Sequence, residues 1–148
     1  MALQPLQEHE KPFVAAKLAE NWQERGLNFD QSWAEECLQH GHRRTIVGDE
    51  FYTYKVNKKI LGMVSLVTFE GGVAEIRDSI ELTDSGVVLK NLLTELIEVS
   101  KMGDVRKLYS LVLKNNTAIY TALGFKKEGE LLDHFKEGED LTIMSLLL

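Results

Sequence analysis

The sequence predicts an α+β fold, with one mixed, mostly antiparallel sheet of six to seven strands and helices on both of its faces. Three observations predict this class. A length of 148 residues suits one compact domain, and a hydrophobic fraction of 44% is sufficient for a core. Helix-like and strand-like segments also follow one another in the order ααβββαβαββ, without an internal repeat or a low-complexity linker. We therefore expect residues 1–148 to form a single domain.

The N-terminal segment predicts two helices. Apolar residues follow Pro12 at helical spacing, and a break around Gly26 ends this pattern. Asp30 or Ser32 is a suitable N-cap for a second helix, which ends near Gly41.

Three β-prone segments come next, at residues 51–56, 60–69 and 73–82. Residues 57–59 separate the first two segments and predict a hairpin turn, and the glycines at 71–72 predict another turn.

The longest helix pattern follows and ends at Gly103. Its apolar face repeats every three or four positions and consists of Val88, Leu89, Leu92, Leu93, Leu96, Ile97 and Ser100. A strand at residues 107–113 and a short helix near 117–123 come after it. Terminal strands complete the chain, and residues 141–146 are the clearest of them.

Composition and charge exclude several classes of function. Seventeen Lys and Arg against 23 Asp and Glu give a net charge of −6, which argues against non-specific nucleic-acid binding because that requires clustered positive charge. No apolar run reaches the roughly 20 residues of a membrane span, and the N-terminus lacks the pattern of a secretory signal. Cys37 is the single cysteine and the four histidines have no metal-ligand spacing, so we expect no metal site. We expect a cytoplasmic protein without a nucleic-acid or membrane partner.

The second half of the chain carries five segments in a characteristic order. They are residues 60–66, 74–78, 92–97, 107–113 and 118–129, the last of which contains Leu-Gly-Phe. This arrangement resembles the GNAT superfamily, the general N-acetyltransferases that use acetyl-coenzyme A (acetyl-CoA). The resemblance covers about two thirds of the chain. It implies the GNAT fold, acetyl-CoA as a co-substrate, and a primary amine on a small molecule or a peptide as the acceptor.

The stretch before the long helix departs from the family pattern. Family members place Arg or Gln and then two glycines where the helix N-terminus holds the pyrophosphate of coenzyme A. Here Asp84 occupies the Arg or Gln position, and Val87 and Leu89 occupy the glycine positions. The resemblance assigns coenzyme contacts to this shortened loop: Glu81, Leu82, Thr83, Ser85, Gly86, Val87 and Val88. The alternative is structural, with Asp84 or Ser85 as a helix cap and Val87 and Leu89 as core residues.

Glu75 is the candidate base. The resemblance places it where many family members carry a glutamate that takes a proton from the substrate ammonium. Strand alternation predicts that four polar side chains share one face: Glu75, Arg77, Ser79 and Glu81. Glu81 is the reserve base. The alternative is a surface strand on which Glu75 and Arg77 are solvated or pair with neighbours.

Tyr120 is the candidate acid. It stands four residues before Gly124, which is the spacing of the family tyrosine whose hydroxyl protonates the departing thiolate. A tyrosine with an ordinary pKa of about 10 stays protonated at neutral pH. Asn115, or else Asn116, is the candidate contact for the coenzyme arm. The alternatives are a core aromatic for Tyr120 and a turn with a helix cap for the asparagines.

The acceptor pocket has its candidates in the N-terminal helices. Trp22 and Phe29, near Trp33, lie where the family builds this pocket, and the alternative is aromatic packing within the helices. The charged segment at residues 133–138 is a candidate pocket rim. Two functions remain open: an active N-acetyltransferase that works through a ternary complex, and a GNAT-fold binding or regulatory protein with weak or lost acetyl-CoA binding. Either hypothesis allows a homodimer.

Overall fold

The computed structural model describes residues 3–41 and 46–148. The described residues fall into two compact units, one on each side of the gap. A single domain over the whole chain therefore stays a prediction.

The first unit contains a 3₁₀ turn (Glu8–Glu10) and two α-helices, α1 (Lys11–Glu24) and α2 (Gln31–His40). The side chain of Asp30 caps α2, because its Oδ1 accepts a hydrogen bond from the main-chain N of Trp33 at 2.9 Å. Both predicted helices are confirmed, with Asp30 rather than Ser32 as the cap.

The second unit is built on a six-stranded mixed sheet. Its strands are β1 (Ile46–Val56), β2 (Lys59–Phe69), β3 (Val73–Glu81), β4 (Lys107–Leu113), β5 (Lys126–Leu131) and β6 (Leu141–Leu147). They lie in the order β1-β2-β3-β4-β6-β5. The neighbours β3 and β4 run parallel, and the other four neighbouring pairs are antiparallel. The predicted α+β class and strand number are confirmed.

A two-residue turn joins β1 and β2. Its residues Asn57 and Lys58 have φ angles of 50° and 68°, and the two strands pair from Val56 and Lys59 outward. Positive φ at both central positions is characteristic of the type I′ turn, whose twist matches that of the flanking strands. The predicted hairpin is confirmed.

Two helices of the second unit, α3 (Val87–Met102) and α4 (Thr117–Ala122), pack on the same face of the sheet. The seven residues predicted to form the apolar face of α3 are all buried. Five of them share one core cluster with Val64 of β2, Leu108 of β4 and Tyr120 of α4. Helices on both faces of the sheet would require α1 and α2, which belong to the other unit, so that expectation stays a prediction. No helix among the described residues is long and apolar enough to cross a membrane.

A β-bulge interrupts β3 at Asp78. This residue has a φ angle of 49°, a left-handed conformation that Asp tolerates better than most residues. From Arg77 to Ile80 the chain of β3 takes three steps, while the paired segment of β2 takes two. The extra residue breaks the alternation of side chains along β3.

The bulge changes which face the end of β3 presents. Directly paired residues of antiparallel strands point to the same face. Arg77 pairs with Ser65, whereas Glu81 pairs with Gly62, which packs against side chains of α3. The prediction that one face carries all four polar residues is therefore wrong. Before the bulge, Glu75 and Arg77 point away from α3; after it, Ser79 and Glu81 point toward the helices.

Candidate active site

A cleft opens between β3 and β4 where these parallel strands separate. Their pairing ends at Ile76 and Ser110, although β3 continues to Glu81 and β4 to Leu113. Since β2 and β6 pair with the outer edges of these strands, main-chain groups on the inner edges beyond this point face the cleft. Its volume is about 500 Å³, which lies within the range of small-molecule sites. The polar and aromatic side chains that line it belong to Glu75, Arg77, Asp78, Ser79, Ser110, Asn116, Tyr120, His134 and Phe135.

Glu75 lies beside the cleft and is 9% exposed. Its Oε2 accepts hydrogen bonds from Arg77 Nη2 at 2.7 Å and from the Tyr109 hydroxyl at 3.0 Å. The parallel register brings Tyr109 directly opposite Glu75. Because both of these bonds end on Oε2, Oε1 is the oxygen that can accept a proton from a substrate. The ion pair agrees with the structural alternative of a pair with a neighbour, while the burial argues against a solvated surface strand.

Tyr120 is buried at the cleft and only 1% exposed. Its ring packs edge-on against Phe125, with 5.1 Å between ring centroids. Its hydroxyl lies 3.2 Å from Ser79 Oγ and 3.4 Å from Ser110 Oγ. Burial raises the pKa of Tyr120 above its ordinary value of 10.0, and the hydrogen bonds between its hydroxyl and those of Ser110 and Ser79 offset only part of this effect. The phenol is therefore protonated at neutral pH and can donate its proton, and it is at the same time a core aromatic.

The asparagine that lines the cleft is Asn116, not Asn115. A 3₁₀ turn at Lys114–Asn116 leads from β4 into α4, and within it Asn115 is exposed while Asn116 is partly buried. The geometry therefore favours Asn116 for the contact that the resemblance gives to Asn115.

Glu81 caps the N-terminus of α3 with its carboxylate. Oε1 accepts hydrogen bonds from the main-chain N of Ser85 at 3.2 Å and of Gly86 at 3.1 Å, and Oε2 accepts one from the main-chain N of Leu89 at 3.1 Å. The hydroxyls of Thr83 and Ser85 also donate to Oε1, at 2.5 Å and 2.8 Å. The side chain thus takes up donors that the first turn of a helix leaves without helical partners.

The start of α3 differs from the coenzyme-binding loop that the resemblance implies, and it matches the structural alternative only in part. Gly86, with a φ angle of 70°, is the N-cap residue in place of Asp84 or Ser85. Ser85 still contributes, because its Oγ accepts a hydrogen bond from the main-chain N of Val87 at 3.2 Å. Val87 is 59% exposed and therefore not a core residue, whereas Leu89 is 4% exposed and is one.

The pKa of Glu81 is lowered from its ordinary value of 4.5 to about 2. Burial acts to raise this pKa, but the hydrogen bonds from Thr83, Ser85 and Leu89 together outweigh it. A carboxylate so strongly stabilised in its charged form is a weak base, which argues against Glu81 as the reserve base. In the described part of the chain, none of the loop residues expected to contact the coenzyme lines the cleft: Glu81, Leu82, Thr83, Ser85, Gly86, Val87 and Val88.

The aromatic residues of the first unit form a cluster of their own. The rings of Trp22 and Phe29 meet edge to face at 5.7 Å, and those of Phe29 and Trp33 stack at 5.6 Å between centroids. All three side chains are partly buried. This packing links the end of α1 to α2, as the structural alternative expects, and an acceptor role for Trp22 and Phe29 stays a prediction.

Three polar partners of the candidate catalytic residues are not predicted by the sequence pattern. Tyr109 contacts Glu75, while Ser79 and Ser110 contact Tyr120. Ser110 stands inside an otherwise apolar strand core, and this interruption is a signal that could have found it. Ser79 has no such signal, since its orientation depends on the bulge.

The loop between β5 and β6 contributes to the cleft, as expected for a pocket rim. His134 and Phe135 are among its lining residues, and their rings contact each other at 4.8 Å between centroids. The loop is held by Asp133, whose Oδ1 accepts a hydrogen bond from the main-chain N of Gly138 at 2.6 Å.

Comparisons with known proteins identify the fold. No family model matches the sequence, and no curated protein matches it. Solved structures match over nearly the whole chain, and they define a class: this is the fold of the GNAT acetyltransferases. The ribosomal-protein-alanine N-acetyltransferase of Brucella melitensis is 19% identical, with 100% of both chains covered and a TM-score of 0.58.

Two further structures have the same fold. An acetyltransferase of Bacillus subtilis in complex with CoA is 17% identical over 99% of this chain and 96% of that one, with a TM-score of 0.60. A GNAT family acetyltransferase of Elizabethkingia anophelis with acetyl-CoA bound is 18% identical over 100% of this chain and 94% of that one, with a TM-score of 0.60. At these identities the likeness establishes the fold, which the sequence resemblance predicted.

Proposed function

We propose that this chain is a GNAT-type N-acetyltransferase, which transfers the acetyl group of acetyl-CoA to a primary amine by direct attack in a ternary complex. The observation that carries the proposal is the cleft between β3 and β4. It combines two strand edges, which stop pairing with each other beyond Ile76 and Ser110, with a buried carboxylate, Glu75, and a buried phenol, Tyr120. Two solved structures of the same fold, which hold CoA or acetyl-CoA, support acetyl-CoA as the co-substrate.

The residues of the cleft fit the thioester end of acetyl-CoA. The inner edges of β3 and β4 offer main-chain donors and acceptors to an extended, amide-containing chain, as in strand addition. Asn116 adds a side-chain amide at the same cleft. The amide groups in the arm of acetyl-CoA can therefore form hydrogen bonds at this cleft.

Glu75 and Tyr120 serve the two proton transfers. Oε1 of Glu75 takes a proton from the substrate ammonium, directly or through water, and the neutral amine attacks the carbonyl carbon. As the C–N bond forms and the C–S bond breaks, the Tyr120 hydroxyl protonates the departing thiolate. General acid–base catalysis of this kind contributes typically 10²–10⁴-fold, and the orientation of both substrates in one cleft supplies much of the rest.

Neighbouring groups support these steps. The hydroxyls of Ser79 and Ser110 contact the phenol, and that of Ser79 can relay to the phenolate the proton that the nitrogen loses as the amide forms. Main-chain N–H groups on the inner edge of β3 polarise the thioester carbonyl, since a donor that points at a developing oxyanion stabilises it. Arg77 and Tyr109 orient the carboxylate of Glu75.

The acceptor is a primary amine on a small molecule or a peptide. His134 and Phe135 lie at the cleft and are the nearest candidates for its recognition, and Trp22 and Phe29 remain the candidates in the first unit. We further propose that the protein is cytoplasmic, forms a homodimer and has no nucleic-acid or membrane partner.

One observation favours the alternative, a GNAT-fold binding or regulatory protein with weak or lost acetyl-CoA binding. The main-chain N–H groups of Ser85, Gly86 and Leu89 already donate hydrogen bonds to Glu81, so they are not available to bind a diphosphate. We favour the enzyme because the catalytic cleft does not depend on these donors.

Ligand binding and turnover distinguish the two functions. Acetyl-CoA at 100 times its Kd should add about 2.7 kcal/mol to the free energy of unfolding, which raises the melting temperature by several degrees. A panel of primary amines is then incubated with the protein and acetyl-CoA, and the released thiol is measured. No shift at millimolar acetyl-CoA, together with no thiol release above the uncatalysed rate, contradicts the proposed enzyme and favours the alternative.

Two substitutions test the proton-transfer roles. Tyr120→Phe keeps the ring contact with Phe125 but removes the hydroxyl, so we expect kcat to fall by roughly 10²-fold with little change in the Kd of acetyl-CoA. Glu75→Gln should lower kcat by a similar factor at neutral pH. Tyr54→Phe is the matched control, because it removes a phenol whose partner is Asn91 of α3 rather than a group at the cleft. If Tyr120→Phe behaves like this control, the acid role is wrong.

A further inference from the structure

Glu81 occupies the place at α3 where a helix would otherwise hold an external anion. Helix N-termini bind phosphates because their unpaired N–H groups and the helix dipole favour negative charge. Here one carboxylate accepts five hydrogen bonds, three of them from the main chain of Ser85, Gly86 and Leu89. The main-chain N of Val87 bonds to Ser85 Oγ. Of the four main-chain donors from Gly86 to Leu89, three are thus taken up within the described residues.

The charges around this turn add to the effect. Glu81 is ionised at neutral pH, and the exposed Asp84 next to it adds a second negative charge. No Lys or Arg occurs between residues 81 and 89, and the first cation beyond them is the exposed Lys90. An incoming diphosphate would have to displace the Glu81 carboxylate from five hydrogen bonds and then lie beside it, and like charges at such short range repel each other strongly.

The cleft between β3 and β4 is independent of this turn. It is lined by Glu75, Asn116 and Tyr120, among others, and by none of the residues of the turn. A donor can therefore place its thioester arm in the cleft without any contact to the amides of α3.

We propose that Glu81 makes the donor site selective for the acyl-pantetheine part of the donor, so that a pantetheine thioester without the nucleotide binds as well as acetyl-CoA does. The inference rests on the proposed function, because it specifies which part of the donor the same cleft recognises. The substrate class is acyl thioesters of pantetheine, and the diphosphate and nucleotide contribute no net affinity. Glu81 is a specificity-determining residue in this scheme, and it takes no part in the chemical step.

Binding of two donors to the full chain tests the proposal. The Kd values of acetyl-CoA and acetyl-pantetheine are measured by titration calorimetry, and we expect them to agree within about threefold in the wild type. Glu81→Ala exposes the main-chain donors of Ser85, Gly86 and Leu89. We expect this variant to bind acetyl-CoA about tenfold more tightly, because charge-assisted bonds to phosphate become available, while its Kd for acetyl-pantetheine stays the same.

Two more variants keep the test decisive. Glu81→Gln preserves the shape of the cap without its charge, and it should change the ratio of the two Kd values in the same direction if the alanine variant does not fold. Asp84→Asn removes a charge from the neighbouring exposed position without freeing a main-chain donor. We expect it to change the ratio in the same direction as Glu81→Ala but by no more than about twofold, because the charge of an exposed side chain is screened by solvent.

The outcomes separate this inference from the proposed function. If the wild type acetylates amines but binds acetyl-CoA more than tenfold more tightly than acetyl-pantetheine, the inference is wrong and the function stands. If the two donors bind equally and no amine is acetylated, the function is wrong and the role of Glu81 stands. If Glu81→Gln alone binds acetyl-CoA and acetyl-pantetheine does not bind, the affinity comes from the diphosphate and nucleotide, and the inference is wrong. No binding of either thioester by the wild type or any variant contradicts both.

Discussion

Two carboxylates on the same strand have opposite environments. Glu75 lies before the bulge at Asp78, beside the cleft, where one of its oxygens remains available to a substrate. Glu81 lies after the bulge and points to the first turn of α3, where both of its oxygens accept hydrogen bonds. One inserted residue therefore separates a carboxylate that can act in chemistry from one that stabilises the fold.

The stabilising role of Glu81 predicts a dependence of stability on pH. The pKa of about 2 in the folded chain is lower than the ordinary value of 4.5, so the carboxylate contributes stability that is fully present above about pH 4.5. This contribution is lost as the pH falls toward 2. We expect the difference in free energy of unfolding between the wild type and Glu81→Gln to be constant near neutrality and to shrink below about pH 4.5.

Urea unfolding at a series of pH values measures this difference. Glu137→Gln, at an exposed position in the loop between β5 and β6, is the matched control for loss of one carboxylate. A wild-type advantage over Glu81→Gln that grows on acidification, or that changes with pH in the same way for the control, contradicts the assigned role.

The start of α3 depends on a backbone conformation that only glycine adopts without strain. Gly86 has a φ angle of 70°, and its main-chain N bonds to Glu81 while its carbonyl accepts the first helical bond, from Lys90. The space at this position is not the constraint, because an added Cβ would meet Ile119 at an ordinary 3.6 Å. The constraint is the left-handed conformation itself.

Gly86→Ala should therefore destabilise the protein by about 1–2 kcal/mol, the cost of a left-handed conformation for an L-residue. For a chain of this size, each 1 kcal/mol corresponds to a decrease of about 2–4 °C in melting temperature. Gly103→Ala is the matched control at the other end of α3, where φ is −94° and an added Cβ meets its nearest atom at 3.6 Å. Equal losses for the two variants would contradict the argument from φ.

Helices, strands and turns could be predicted from the sequence where a local residue pattern determines them. The apolar face of α3 follows from helical periodicity, and the hairpin at Asn57 and Lys58 follows from turn chemistry. The bulge at Asp78 was not predictable, because it depends on how β3 pairs with β2. Without the bulge, alternation assigns Glu81 to the wrong face, and its capture of the α3 amides is missed.

Contacts between distant parts of the chain explain the remaining differences at the site. Ser79 and Tyr120 are 41 residues apart, and Glu75 and Tyr109 are 34 apart, yet both pairs are in hydrogen-bond contact. Such contacts follow from sheet order and helix placement, which no local pattern encodes. The resemblance supplied Glu75 and Tyr120 themselves, whereas Tyr109, Ser79 and Ser110 came only from the structure.

At the scale of the whole molecule, one core connects the sheet of the second unit to α3 and α4. Leu93 lies at the middle of α3 and is 0% exposed, and it belongs to the same cluster as Ala74 of β3 and Met144 of β6. The cleft depends on this core, because Tyr120 is part of it. Loss of core packing should therefore affect stability and the site together.

Leu93→Ala should lower the free energy of unfolding by about 2–5 kcal/mol, because it removes buried methyl groups and leaves a cavity. Urea unfolding followed by circular dichroism measures the loss. Met102→Ala is the control, since this last residue of α3 is 80% exposed and its truncation should stay within about 0.5 kcal/mol. A loss for Leu93→Ala no greater than for the control would mean that the core does not stabilise the second unit as described.

The order of the strands leaves β1 and β5 at the two margins of the sheet, where a foreign strand could attach. Four of the six residues of β5 are charged, and each would lose hydration if another chain docked alongside. β1 exposes Phe51 and other apolar side chains, and its register with β2 shifts near each of its two ends, between Ile46 and Gly48 and between Tyr54 and Lys55. The charges of β5 therefore disfavour extension of the sheet at that margin, and at β1 the bulges near the two ends limit it to the middle of the strand.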